Sequence, residues 1–164
     1  MNNLKSKRVM DSQVIMIELV LPNDTNIHGN LLGGRLMHWM DIATAMAASK
    51  HCNRIAVTAA VDNLTFHIPI HLGNIVTLKA SVNRAFNTSM EVGVRVESEN
   101  IETGEVKHSN SAYFTFVAID SQTGIKVKVP EVLPESEEEQ RRFKDALIRR
   151  NNRISKNNRN RNSN

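Results

Sequence analysis

Asp41 is the one acidic residue between Asp24 and Asp62. It falls in a run, "RLMHWMDIATAMAASK", that is otherwise largely apolar. Burying an unpartnered ion in such a run costs several kcal/mol, so its neighbours decide its use. A carboxylate beside a cleft can serve as a general base or nucleophile, whereas one paired with Arg35 or His38, or capping a nearby loop, is structural. The residues upstream bear on that choice. Gly33 and Gly34 lead into the run, where a helix N-terminus presents unpaired N–H groups backed by the positive end of the helix dipole. Donors of that kind polarise a carbonyl and stabilise the oxyanion that forms when it is attacked. Asn26 adds an amide side chain able to position water. A carboxylate, backbone donors and an amide together make an acyl-transfer site that requires no cofactor.

The elements that must hold these residues can be read from periodicity. Val14 to Leu21 has strand character and is closed by Pro22 and the polar residues Asn23, Asp24 and Asn26. The glycine pair turns the chain into a helix from Arg35 to about His51, apolar on nearly its whole circumference and therefore expected to be buried all round. Four further strands are expected: Ile55 to Phe66, Ile75 to Arg84, Met90 to Glu99 and Ser111 to Asp120. Their period-two alternation and short turns point to an antiparallel sheet with one wet face. A one-sided sheet preceded by one long apolar helix has an obvious solution, an α+β fold in which the sheet wraps the helix. Beyond Pro130, "PESEEEQRRFKDALIRR" has acids in its first turn and bases in its last, the pattern of a short C-terminal helix.

A chain of 164 residues suits one core with a tail. The expected division is a flexible N-terminus over 1–12, a domain over 13–130, the C-terminal helix over 131–150 and a disordered basic tail over 151–164. The single Cys52 excludes an internal disulfide and a metal framework of paired cysteines, and suits a reducing, cytoplasmic compartment. The first residues lack a signal-peptide cleavage pattern, and no run approaches the 18 or so apolar residues of a membrane span. The formal charge of +4 is misleading: residues 149–164 hold six Lys or Arg and no acid, which leaves −2 for the rest. That location points to a solvated tail rather than to an RNA-binding or membrane-binding arm.

The blocks "DTNIHGNLLGGRLMHWMDIATAMAASKHC", "VDNLTFHIPIHLGNIVTL" and "RAFNTSMEVGVRVESEN" resemble the cytosolic and bacterial acyl-CoA thioesterases of the hotdog-fold superfamily, from about Val14 to Asp120. The spacing of Asn26, Gly33, Gly34 and Asp41 is the most specific part of the match. The resemblance implies a sheet wrapped round a central helix, dimers joined edge to edge, trimers of such dimers, and active sites at the dimer interface. It implies hydrolysis of acyl-CoA to free fatty acid and CoA. In that scheme Asp41 is general base or nucleophile, the Gly33 or Gly34 amide holds the thioester oxygen, Asn26 comes from the opposite subunit, and Thr58 supplies a hydroxyl near the reacting centre. Arg84, Thr88 and Ser89 fall where the pantetheine and phosphates of CoA lie. Two departures stand out: Leu32 where many relatives have His, and Asn74 where Gly-Asp is usual.

Other signals are weaker. His67 and His71 have a zinc-like spacing, but Pro69 between them forbids the helix that would use it, so no metal is expected. His38 could touch Asp41 on one helical face, or sit at a subunit contact. Cys52 reads as a small buried residue. Asp24-Thr-Asn26-Ile-His28 falls one residue and a proline short of the motif of the hotdog enoyl-CoA hydratases. A non-catalytic acyl-CoA sensor would keep the pocket and could dispense with Asp41.

Overall fold

The computed structural model describes residues 4–62, 64–66 and 68–162. Among these residues lie two sheets, two α-helices and two short 3-10 turns. The principal sheet has five antiparallel strands, β2 (Val14–Leu19), β3 (Ile55–Asp62), β4 (Ile75–Ala85), β5 (Ser89–Glu99) and β6 (Val106–Ile119), in the spatial order β2-β4-β5-β6-β3. A two-residue strand β1 (Lys7–Arg8) pairs in parallel with β7 (Val132–Leu133) beside it. Helix α1 (Gly33–Cys52) fills the concave face of the sheet, and α2 (Glu137–Asn162) crosses the outer face. This is the hotdog arrangement, one long helix wrapped by an antiparallel sheet.

Alternation explains the inner layer. Val92, Val94 and Val96 of β5 stand opposite Phe114, Ala112 and Asn110 of β6, and this inward row packs with Met40, Ala43 and Ala47 of α1. One buried helix face and one buried sheet face close the core.

Several boundaries differ from those expected. Gly33 and Gly34 lie inside the first turn of α1, and the left-handed turn before the helix belongs to Gly29 (φ +72°). Gly33 packs close to Phe66: a Cβ there would stand 3.3 Å from the ring, which would have to shift by a few tenths of an ångström. α1 is buried on one side only, since Met37, Ile42 and Met46 are exposed. β6 begins five residues early through "VKHSN", where polar residues hide the alternation. The N-terminal residues also have structure: a short 3-10 turn, Val9–Ser12, buries Val9 and Ser12, and the Ser12 hydroxyl accepts the Val82 N–H at 2.9 Å. α2 continues to Asn162, through residues expected as a disordered tail. The outer sheet face is correspondingly not all wet, because Glu91 beneath α2 is 2% exposed.

Three β-bulges interrupt the ladder: at Thr58–Ala60 of β3, at Val82–Arg84 of β4, and in β6, where Ser109 is skipped opposite Val96 and Glu97 of β5. Each inserts one residue and switches the side-chain parity. Thr58 stands opposite the core residue Phe116, whereas Asp62 stands opposite Tyr113, on the other face. Without the bulge, residues 58 and 62 would share a face.

Candidate active site

Asp41 lies half-buried on α1, and its nearest defined partner comes from the sheet. The Thr58 hydroxyl donates to Asp41 Oδ1 at 2.7 Å. Neither cation expected as a structural partner takes that role. The Arg35 guanidinium pairs instead with Asp24 at 2.8 Å, and His38 is exposed. Among the described residues the carboxylate therefore has one oxygen held by a neutral donor and the other without a hydrogen-bond partner.

The beginning of α1 is set by Asp24, which is buried. Its Oδ2 accepts the Leu21 N–H at 3.0 Å, its Oδ1 takes Arg35, and its carbonyl accepts the Leu32 N–H at 2.8 Å. Leu32 occupies the N-cap and offers no side-chain cap. The amides of the first turn, Gly33 and Gly34 among them, are thus left as donors in the way helix N-termini leave them. A cavity of about 300 Å³ opens beside them, lined by Gly33, Leu36, Phe66, Ile68 and Ile70. It is an apolar hollow with amide donors at one side.

Asn26 is exposed in the loop before α1. Its Oδ1 accepts the His28 and Asn30 N–H groups at 2.9 and 3.2 Å. With the carbonyl end committed to the loop, the NH₂ end is the part able to meet another molecule.

Arg84, Thr88 and Ser89 sit at the β4–β5 turn, away from the α1 N-terminus in sequence and on the sheet's other end. Thr88 and Ser89 are half-buried, and a cavity of about 500 Å³ adjoins that turn, with Ser6, Asn87, Lys128 and Glu131 in its wall. The Arg84 guanidinium donates to the Phe143 carbonyl at 3.1 Å and lies 4.0 Å from the Phe143 ring. Burial and the nearby Arg150 hold its pKa below the usual arginine value. It anchors α2, a use that the sequence did not suggest.

His67 lies outside the described residues. Among the described residues no group of three or more His, Cys, Asp or Glu could hold a metal, and none of the helices is long and apolar enough to cross a membrane. Cys52 is buried, and burial raises its thiol pKa. Sequence reasoning missed Asp24 and Phe66 at this site. The signal for Asp24 was present in its spacing to Arg35 across the loop; that for Phe66 was not, because its contact with Gly33 depends on the fold.

The chain as a whole is similar to known proteins. The thioesterase superfamily model matches residues 28–105. YkhA of Bacillus subtilis, described as an uncharacterized acyl-CoA thioester hydrolase, is 41% identical over 87% of this chain and 83% of its own. The acyl-CoA hydrolase of Bacillus cereus superposes with a TM-score of 0.91 at 33% identity, covering 97% of this chain and 96% of the other. A hexameric acyl-CoA thioesterase gives 0.89 at 38% identity over 93% and 97%. The acyl-CoA hydrolase of Staphylococcus aureus, solved with butyryl coenzyme A and coenzyme A, gives 0.88 at 32% identity over 96% of each chain. This chain belongs to the hotdog-fold acyl-CoA thioesterase family. It is an enzyme of the class that releases CoA from acyl-CoA.

Proposed function

We propose that the reaction runs at Asp41 by activation of water. The 2.7 Å bond from Thr58 to Asp41 carries this reading, because it fixes the direction of a carboxylate that no cation among the described residues neutralises. The thioester carbonyl lies against the first-turn amides of α1, at Gly33 or Gly34, whose donors stabilise the developing oxyanion. Asp41 takes a proton from water as the water oxygen bonds to the carbonyl carbon. Collapse of the tetrahedral intermediate breaks the C–S bond, and the CoA sulfur leaves as thiolate to be protonated. Asn26, supplied by a second subunit, orients water or thioester through its NH₂ group. Thr88 and Ser89 line the approach of the CoA moiety, Arg84 borders it while its guanidinium holds α2 at Phe143, and the cavity adjoining the turn gives that approach room.

The S. aureus relative supports the choice of residues. It has been solved with alanine at an asparagine, at an aspartate and at a threonine, and these are spaced along its chain as Asn26, Asp41 and Thr58 are here. Assembly follows the hexameric relative: dimers first, then a trimer of dimers, in the cytoplasm. The exposed Met37, Ile42 and Met46 of α1, together with the free edges β2 and β3, are the surfaces that such an assembly would cover.

The test is thiol release from short-chain to long-chain acyl-CoAs by wild type and Asp41→Asn. Release by wild type and its loss in the variant is expected; full turnover by Asp41→Asn sinks the mechanism. A single turnover in ¹⁸O-water separates the two roles of Asp41. Label in the Asp41 carboxylate means an acyl-enzyme anhydride opened at the aspartyl carbonyl; label confined to the fatty acid, with no acyl-Asp41 adduct trapped by rapid quench, means a base.

A further inference from the structure

The contacts of α2 fix its direction across the sheet. Phe143 meets Arg84 of β4. Arg149 pairs with Glu91 of β5 at 2.7 Å and lies 3.6 Å over the Tyr113 ring of β6. Arg153 pairs with Asp62 of β3. These strands are neighbours in that same order, so the helix runs transverse to them, toward the β3 edge. The lengths agree: ten residues of helix advance about 15 Å, and three strand spacings span about 14 Å. Residues 154–162 are also helical, and so extend about 13 Å further, more than two strand widths past the end of the sheet.

What overhangs and what it overhangs are complementary. Ile154 is 44% exposed, and Ser155, Lys156 and Asn158 are exposed. Below lies the outer strand β3, one side of whose backbone has no ladder partner. Its outward residues Ile55 and Val57 are exposed, and an apolar free edge of this kind is a template for a further strand. Charge points the same way, since residues 149–164 carry six bases and no acid while the remainder is net −2. A second copy of this chain offers both the apolar edge and the acidic body.

We propose that residues 154–162 of α2 form a clasp for a second copy of this chain, lying on the outer face of that copy's sheet where two β3 edges meet. This rests on the dimer reading above. Antiparallel pairing of the edges brings the Asp62 end of one β3 beside the Ile55 end of the other, which sets Ile154 against the second copy's Ile55 and Val57. Two-fold symmetry makes the exchange mutual. Because β3 also carries Thr58, the clasp tightens the interface on which the catalytic hydroxyl stands.

Two variants test it: a chain ending at Arg153, which keeps the tie to Asp62, and the full chain with Ile154→Asp. Dissociation is followed by sedimentation over a dilution series, with circular dichroism to verify the fold. Both variants should weaken the dimer by on the order of tenfold or more, as losing a buried interface contact does. An unchanged dissociation constant in both, or a wild type that stays monomeric, overturns the clasp. So does an end that serves polyanions instead: truncation would then abolish salt-dependent binding to an RNA oligonucleotide and leave the dimer intact. Thiol release is measured separately, at concentrations where every variant is associated. Silence there counts against the catalytic reading alone, since the clasp is read from mass.

Discussion

Glu91 and Asp41 are carboxylates on opposite sides of one sheet, and the fold treats them in opposite ways. Glu91, under α2, accepts from Arg149 at 2.7 and 3.0 Å and from Asn83 at 3.0 Å. Gly93 leaves the room for Asn83, because a Cβ there would come within 2.8 Å of its amide. Three donors engage its two oxygens, and α2 covers it. Asp41, on α1, has the Thr58 hydroxyl on one oxygen. A carboxylate with several donors ties elements together; one held by a single donor keeps acceptor capacity for water. The difference lies in the partners rather than in the acid.

The comparison can be broken from either side. Arg149→Ala leaves Glu91 charged and unpaired under α2, and should cost about 3–5 kcal/mol of stability, read by urea unfolding. Pairing it with Glu91→Leu should return most of that loss; if the double variant is as unstable as the single, the ion pair is not the cause. Asp41→Asn should leave the unfolding midpoint within about 0.5 kcal/mol of wild type while lowering kcat by on the order of a hundredfold. Thr58→Ala should lower kcat by about tenfold, the scale of one hydrogen bond, and Thr58→Ser should restore it. A large drop in stability with Thr58→Ala would place Asp41 in the same structural class as Glu91.

The smallest effect concerns pH. His51 is fully buried, its Nε2 2.8 Å from the Pro130 carbonyl and its Nδ1 without a partner. Burial holds its pKa below the usual 6.5. The unfolded chain therefore takes up a proton that the fold resists, and stability should fall as pH drops below about 6.5 and be flat above it. His51→Asn should remove that slope from thermal melts between pH 5 and 6.5. A slope that persists would assign the acid sensitivity to carboxylates.

Much of this was legible in the chain. The strands followed from alternation in "EVGVRVE" and "VTLKASV", and α1 from its apolar run. Asp41 was conspicuous because it was the lone charge in that run. Asn26 and the glycines stood out in the loop before that run, and Thr58 came from the family resemblance alone. What escaped was whatever is decided by contacts distant in sequence. The end of α2 has no apolar period, yet Arg149 and Arg153 find acids on β5 and β3. Arg84 looks like a free cation and is committed to Phe143. The all-round apolarity of α1 suggested complete burial, but a single chain covers only one side of it. The composition of that helix describes an assembly rather than a protomer.

Ala59, the residue skipped at the bulge of β3, has no chemistry of its own, yet it sets the reading frame of the strand. Upstream of it Thr58 serves the carboxylate on α1, and downstream Asp62 serves α2. Replacing Ala59 with another residue alters one side chain. Deleting it is a frameshift in three dimensions: either Asp62 turns inward and releases α2, or Thr58 turns outward and releases Asp41. Such a deletion separates the two faces that this edge strand joins, so the strand should be far more tolerant of substitution at this point than of any change in length.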